Sequence, residues 1–135
     1  MLGRKRLPGI QVDQEDFMKI VIVNCTPHPL NFIGEDGVEF VVPQSGAVIN
    51  AELVEQPAGT HSAGVELVRV GFRPAPGAEE TLARLEAEHP DALFVASMIA
   101  AQAFPGRIVN PIPAPGFERR PPAEKRMRSD KFTTF

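Results

Sequence analysis

The sequence predicts an α+β domain: a small, mostly antiparallel sheet with one or two helices, followed by an extended, proline-rich C-terminal tail. Three observations lead there. Short β-branched runs divided by Gly and Pro fill the first half of the chain. A helix-strand-helix pattern fills the second half up to residue 110. Beyond it, prolines recur at positions 111, 113, 115, 121 and 122, a spacing that favours extended backbone.

Lys19–Asn24 is β-branched and apolar and reads as a buried first strand. Thr26-Pro-His-Pro29 is a rigid turn, because each proline fixes its own φ and pushes the preceding residue towards extended geometry. Leu30–Ile33 and Val38–Val42 read as strands joined by Gly34-Glu-Asp-Gly37, a hairpin loop with glycine at both ends. Pro43-Gln-Ser-Gly46 is a further turn leading into a strand over Ala47–Val54, and residues 56–64 read as a loop. Val65–Phe72 alternates Val65 and Leu67, then, after a shift, Val68 and Val70, as a strand does. Ala78–Glu88 is the clearest helix. Leu82 and Leu85 form its apolar stripe, Glu79 and Glu80 favour its N-terminal end, and Pro90 stops it. Ala92–Ala96 reads as a buried strand. Ser97 caps a short helix over Met98–Phe104 that ends at Pro105-Gly106. A Phe at the last position, Phe135, suggests a tail packed on a surface.

The 135 residues suit one globular domain over residues 18–110, with a 1–17 extension and a 111–135 tail. Met18-Lys-Ile-Val-Ile-Val reads like a natural start. Gln14-Glu15-Asp16 can also be encoded by a purine-rich, ribosome-binding stretch, so translation is expected to begin at Met18. Detection of a native peptide spanning Ile10 to Lys19 would overturn that expectation. Nine Phe supply all the aromatic packing, since Trp and Tyr are absent. The single cysteine, Cys25, excludes an internal disulfide and argues against a stapled secreted scaffold. No apolar run approaches the roughly 18 residues of a membrane span. Leu7–Asp13 is too polar for a signal peptide. A cytoplasmic location, in the host cell if the protein is phage-encoded, is the expectation.

Charge is unevenly placed. Residues 18–116 carry five basic and eleven acidic groups, whereas residues 117–135 carry six basic and three acidic. The body should repel nucleic acid. The favoured reading of the basic tail, with Arg119-Arg120 and Lys125-Arg126, is that it docks on its own acidic body.

Cys25-x-x-His28 invites a metal or thiolate reading, but zinc needs at least three protein ligands and no second Cys exists. No metal and no cofactor is expected, and Cys25 reads as a small buried hydrophobe. Thr26 and His28 sit on a rigid turn after a buried strand, where open sheets place ligand groups. The competing reading is that they satisfy local backbone. Ser97 follows a strand and opens a helix, but Val95-Ala-Ser97-Met-Ile lacks the glycines of a nucleophile elbow, so a cap is the better reading.

Asn24-Cys-Thr-Pro-His28-Pro-Leu, Pro43-Gln-Ser-Gly46 and Phe94-Val-Ala-Ser97-Met-Ile-Ala-Ala-Gln-Ala103 together resemble a group of small phage and prophage proteins. The likeness covers residues 19–110. That group resembles in turn phage anti-defence proteins that sequester cyclic ADP-ribose signals of the Thoeris system. The likeness implies tight binding without turnover, in a homo-oligomer. Asn50 and the Arg107-Ile-Val segment depart from the group, which tends to have an Arg and an Asp there. Clamping a phosphate-rich signal needs cations. The body offers Arg69, Arg73, Arg84 and Arg107 after Lys19.

The expected function is therefore a non-enzymatic accessory protein that binds a small anionic or nucleotide-derived ligand. Thr26, His28, Ser97 and Arg107 are its candidate polar site residues, with Asn24 and Phe94 helping to position the ligand. The alternatives are an interaction or virion-associated protein docking through its C-terminal tail, and a small enzyme using Cys25 or His28.

Overall fold

The computed structural model describes residues 10–12 and 20–135. These form β1 (Ile10–Val12), β2 (Val21–Asn24), β3 (Leu30–Ile33), β4 (Glu39–Val42), β5 (Ala51–Thr60), β6 (Glu66–Pro74), α1 (Ala78–Glu88), β7 (Leu93–Val95), α2 (Met98–Ala103), β8 (Asn110–Pro113) and β9 (Met127–Thr133). The expected start at Met18 lies outside the described residues.

Three sheets result, in the orders β1-β2-β7, β4-β3-β9-β8 and β5-β6. Four of the six pairings between these strands are antiparallel; β2 with β7 and β3 with β9 are parallel. The α+β class expected from the sequence is the class observed.

The β2–β7 pair divides two cores, because side chains alternate across a strand. Val23, Phe94 and Ala96 face a core completed by Leu82 and Leu85 of α1 together with Ile49, Phe104 and Ile108. Ile22 and Val95 face the other, filled by Leu30, Phe32 and Val42 and flanked by Phe40, Met127 and Phe132. Ala78, Leu82 and Leu85 are the buried residues of α1, the spacing of one helix face. A segment after α2 extends the parallel pair: Val109 bridges Val95, and its N–H donates to the Phe94 carbonyl at 2.9 Å.

The C-terminal segment, expected to be extended and to dock on the body, is built into the second sheet. β9 lies between β3 and β8, with Phe32 opposite Met127 and Pro111 opposite Phe132. The Phe132 ring lies 5.9 Å from that of Phe32, and Phe32 also stacks on Phe40 at 5.3 Å. Arg126 reaches Glu39 at 2.9 Å, so part of the basic charge does settle on the acidic body. Phe132 anchors this end, whereas Phe135 remains exposed. Proline frequency is compatible with this sheet because β8 is an edge strand, where a missing N–H breaks no ladder.

The expected loop over 56–64 is mostly ribbon. β5 runs on to Thr60 through a register shift after Pro57, and the turn closes with His61 N–H on the Val65 carbonyl at 2.8 Å. Gly64, at φ 92°, supplies the left-handed residue of that turn. The strand expected from Ala47 begins only at Ala51.

Candidate functional site

The turn after β2 is built around Asn24, which is fully buried. Its Nδ2 donates to the carbonyls of His28 at 3.0 Å and Val42 at 3.1 Å. Its Oδ1 accepts from the Thr26 N–H at 2.9 Å and from the Thr26 hydroxyl at 2.6 Å. Both amide protons and both oxygen lone pairs are thereby used. The Thr26 Oγ1 also lies 2.8 Å from the His28 carbonyl. Asn24 and Thr26 thus hold the Pro-His-Pro turn onto β4, and offer no polar atom to a ligand.

His28 projects into solvent beside a cavity of about 210 Å³ that it lines with Leu30, Pro122, Lys125 and Met127. Cys25 points the other way, into the core beneath α1. Burial pushes its thiol up to about 11, against a smaller opposing effect of a Ser45 hydrogen bond. Such a thiol stays protonated at neutral pH and is a poor nucleophile.

Ser97 caps α2, its Oγ accepting from the Ala100 N–H at 3.2 Å. Phe94 is buried in the core. Arg107 donates to both carboxylate oxygens of Glu86, at 3.1 and 2.8 Å, and to Glu79 at 3.0 Å, and lies 5.5 Å over the Phe104 ring. The hydrogen bonds to Glu86 and Glu79 raise its pKa further, and that from Arg107 lowers the pKa of Glu86. Arg107 is a latch between α1 and the segment after α2. Ser97 caps the start of α2, whereas Arg107 lies in the turn that follows the helix. Five of the six candidates are engaged within the fold, so the six do not form one shared polar site.

The groups that do converge lie on the β5–β6 ribbon. Leu53 pairs with Phe72, Val54 with Gly71, and Gln56 with Arg69. The period of two then places Arg69, Gly71 and Arg73 on one face with Val54 and Gln56. Together with Val70 and Phe72 of the same strand, they line a hollow of about 460 Å³. Gly71 forms its floor, since a Cβ there would meet nothing within 4 Å. Arg73 leans on Glu52 at 3.2 Å; among the described residues Arg69 has no ion-pair partner. The volume lies in the range of small-molecule sites. Arg69-Val-Gly-Phe-Arg73 carried the signal in the sequence: two arginines four apart share a face on a strand, with a glycine between them. Both arginines stand among the four cations that the sequence offers as clamps, but only the pairing of β6 with β5 singles them out from Arg84 and Arg107.

Among the described residues no group of three or more His, Cys, Asp or Glu stands close enough together to hold a metal ion. Among the described residues no helix is long and apolar enough to cross a membrane. Comparison with protein-family models, with curated proteins and with solved structures finds no match to this chain.

Proposed function

We propose that the protein is a non-catalytic binding protein, of the phage accessory kind its motifs resemble, and that it takes a small anionic, nucleotide-type ligand in the hollow over Gly71. The observation that carries this reading is the pair Arg69 and Arg73 flanking an open floor on a single strand face. Planar guanidiniums suit phosphate oxygens because they donate two parallel hydrogen bonds. The small-enzyme alternative has little to work with. The Cys25 thiol is buried and protonated, whereas His28 is exposed to solvent.

The test is a thermal-shift screen of the full chain against cyclic ADP-ribose isomers, ADP-ribose, NAD and cyclic dinucleotides. A ligand at about 100 times its Kd stabilises the fold by about 2.7 kcal/mol, or several degrees. Arg69→Ala and Gly71→Val, which fills the floor, should each abolish the shift. A shift that survives both variants, or none with any compound, overturns this assignment. A second reading, as an interaction protein, is favoured by the exposed apolar side chains on the opposite face of the same ribbon.

A further inference from the structure

The turn after β2 holds the backbone of His28 and leaves its side chain unused. Asn24 donates to the His28 carbonyl at 3.0 Å, and the Thr26 hydroxyl lies 2.8 Å from the same oxygen. Pro27 and Pro29 fix φ on either side. The imidazole itself is exposed and has no hydrogen-bond partner among the described residues. A buried amide and a buried hydroxyl thus fix the root of one exposed, unengaged polar group, which preorganises that group for contact.

A second such group faces it. β3 and β9 run parallel with Phe32 opposite Met127, so the residues leading into the two strands meet at one end of the sheet. Lys125 leads into β9 from a turn in which its N–H donates to the Pro121 carbonyl at 2.9 Å. It is half-buried and has no carboxylate partner among the described residues. Its basic neighbours Arg120, Arg126 and Arg128 are paired with Glu124, Glu39 and Asp130, so the nearby carboxylates are already matched. Between His28 and Lys125 lies the cavity of about 210 Å³, walled by Pro29 and Pro122 and floored by Leu30 and Met127. In a chain of net charge −3, an unpaired ammonium here stands beside an imidazole at the rim of an apolar hollow.

We infer that this hollow binds a small organic monocarboxylate, its carboxylate held between Lys125 and His28 and its apolar body resting on Leu30 and Met127. The lining selects that class. An ammonium and an imidazole offer one N–H donor to each carboxylate oxygen, and a neutral imidazole still carries one. A phosphate would press its remaining oxygens against an apolar wall, where they go unsatisfied. A neutral molecule would leave the ammonium without a counter-charge. The volume is under half that of the hollow over Gly71 and suits a molecule smaller than a nucleotide. The two hollows share no lining residue, so this site stands independently of the nucleotide reading.

Titration of benzoate into the full chain, isotopically labelled at its methionine methyl groups and followed by NMR, tests the inference. The ring of bound benzoate should move the Met127 methyl signal saturably and leave that of Met98, exposed on α2, in place. Met127→Leu, a volume-conserving change, identifies the signal. Benzamide keeps the apolar body without the charge, and inorganic phosphate keeps the charge without the body. Each should bind about tenfold more weakly than benzoate, or worse. His28→Ala and Lys125→Gln, at solvent-accessible positions, should each weaken benzoate by about tenfold. Arg69→Ala, which removes the nucleotide site, should leave benzoate binding unchanged. Four results overturn the inference: a Met127 signal that stays in place up to about 10 mM benzoate, equal binding of benzamide or phosphate, benzoate binding indifferent to either His28→Ala or Lys125→Gln, or its loss in Arg69→Ala.

Discussion

The Arg107 guanidinium grips Glu86 with two parallel hydrogen bonds, Nε to Oε2 at 3.1 Å and Nη2 to Oε1 at 2.8 Å. The pair fastens α1 to the segment that carries Ile108 and Val109 into the parallel sheet. Both side chains remain about a third exposed, so solvent screens the interaction and the bond is worth about 1 kcal/mol despite its fork geometry.

Arg107→Ala should lower the melting temperature by a few degrees, about 1 kcal/mol. Arg107→Lys should recover only part of it, because a point charge cannot reproduce the fork. The hydrogen bond from Arg107 holds the Glu86 carboxyl below its ordinary value of 4.5. A lowered folded pKa means stability that is complete above the unfolded value and lost as the pH falls through the folded one. The difference between the native chain and Glu86→Gln should therefore shrink as the pH drops below about 4.5. Urea titrations at several pH values measure it. A difference unchanged down to pH 2 contradicts the pairing.

Asn24→Ala should be severely destabilising, by about 2–4 kcal/mol, since it orphans the Val42 carbonyl and the Thr26 N–H in a buried turn. Thr26→Val should cost about 1–2 kcal/mol. His28→Ala, at an exposed side chain, should stay within about 0.5 kcal/mol of the native chain. Denaturant midpoints rank the three, and an Asn24→Ala protein as stable as His28→Ala would refute the structural role of the turn.

Cys25 should resist thiol reagents at pH 8 in the folded chain and react only on unfolding. Its thiol rises from 9.0 to about 11 in the fold. A raised folded pKa means stability that is complete below the unfolded value and lost as the pH climbs through the folded one. Two units correspond to on the order of 2–3 kcal/mol, lost between about pH 9 and 11. Cys25→Ala should remove that alkaline component. Rapid native-state labelling at pH 8 would contradict the burial.

Deleting residues 127–135 should unfold the domain rather than trim it. Met127 and Phe132 flank the core around Phe32 and Val42, and β8 would lose its only neighbouring strand among the described residues. Phe132→Ala, at a half-buried ring, should cost about 2 kcal/mol. Circular dichroism of the truncated chain decides the matter, and a native-like melt would restore the view of this segment as a detachable tail.

Elements whose signals are local were legible in the amino-acid order alone. The apolar stripe of Leu82 and Leu85, with Glu79 and Glu80 before it and Pro90 after it, marked α1 over Ala78–Glu88, and Ser97 marked the cap of α2, because periodicity and capping act within a few residues. The β-branched runs at β2 and β3 and the glycine-bounded hairpin after β3 were legible for the same reason. Tertiary structure alone decided where the strand edges and the charges found partners. Met127–Thr133 reads as a basic tail until β3 and β8 supply its ladder. Pro57 and Gly59 read as a loop until β6 holds them in a ribbon. Arg107 reads as a free clamp until α1 brings Glu79 and Glu86 to it. Asn24 and Thr26 read as ligand groups until Val42 and His28 present their carbonyls. A strand's hydrogen bonds and a guanidinium's partners come from distant parts of the chain, so a polar residue's role is settled only when the fold has chosen its neighbours.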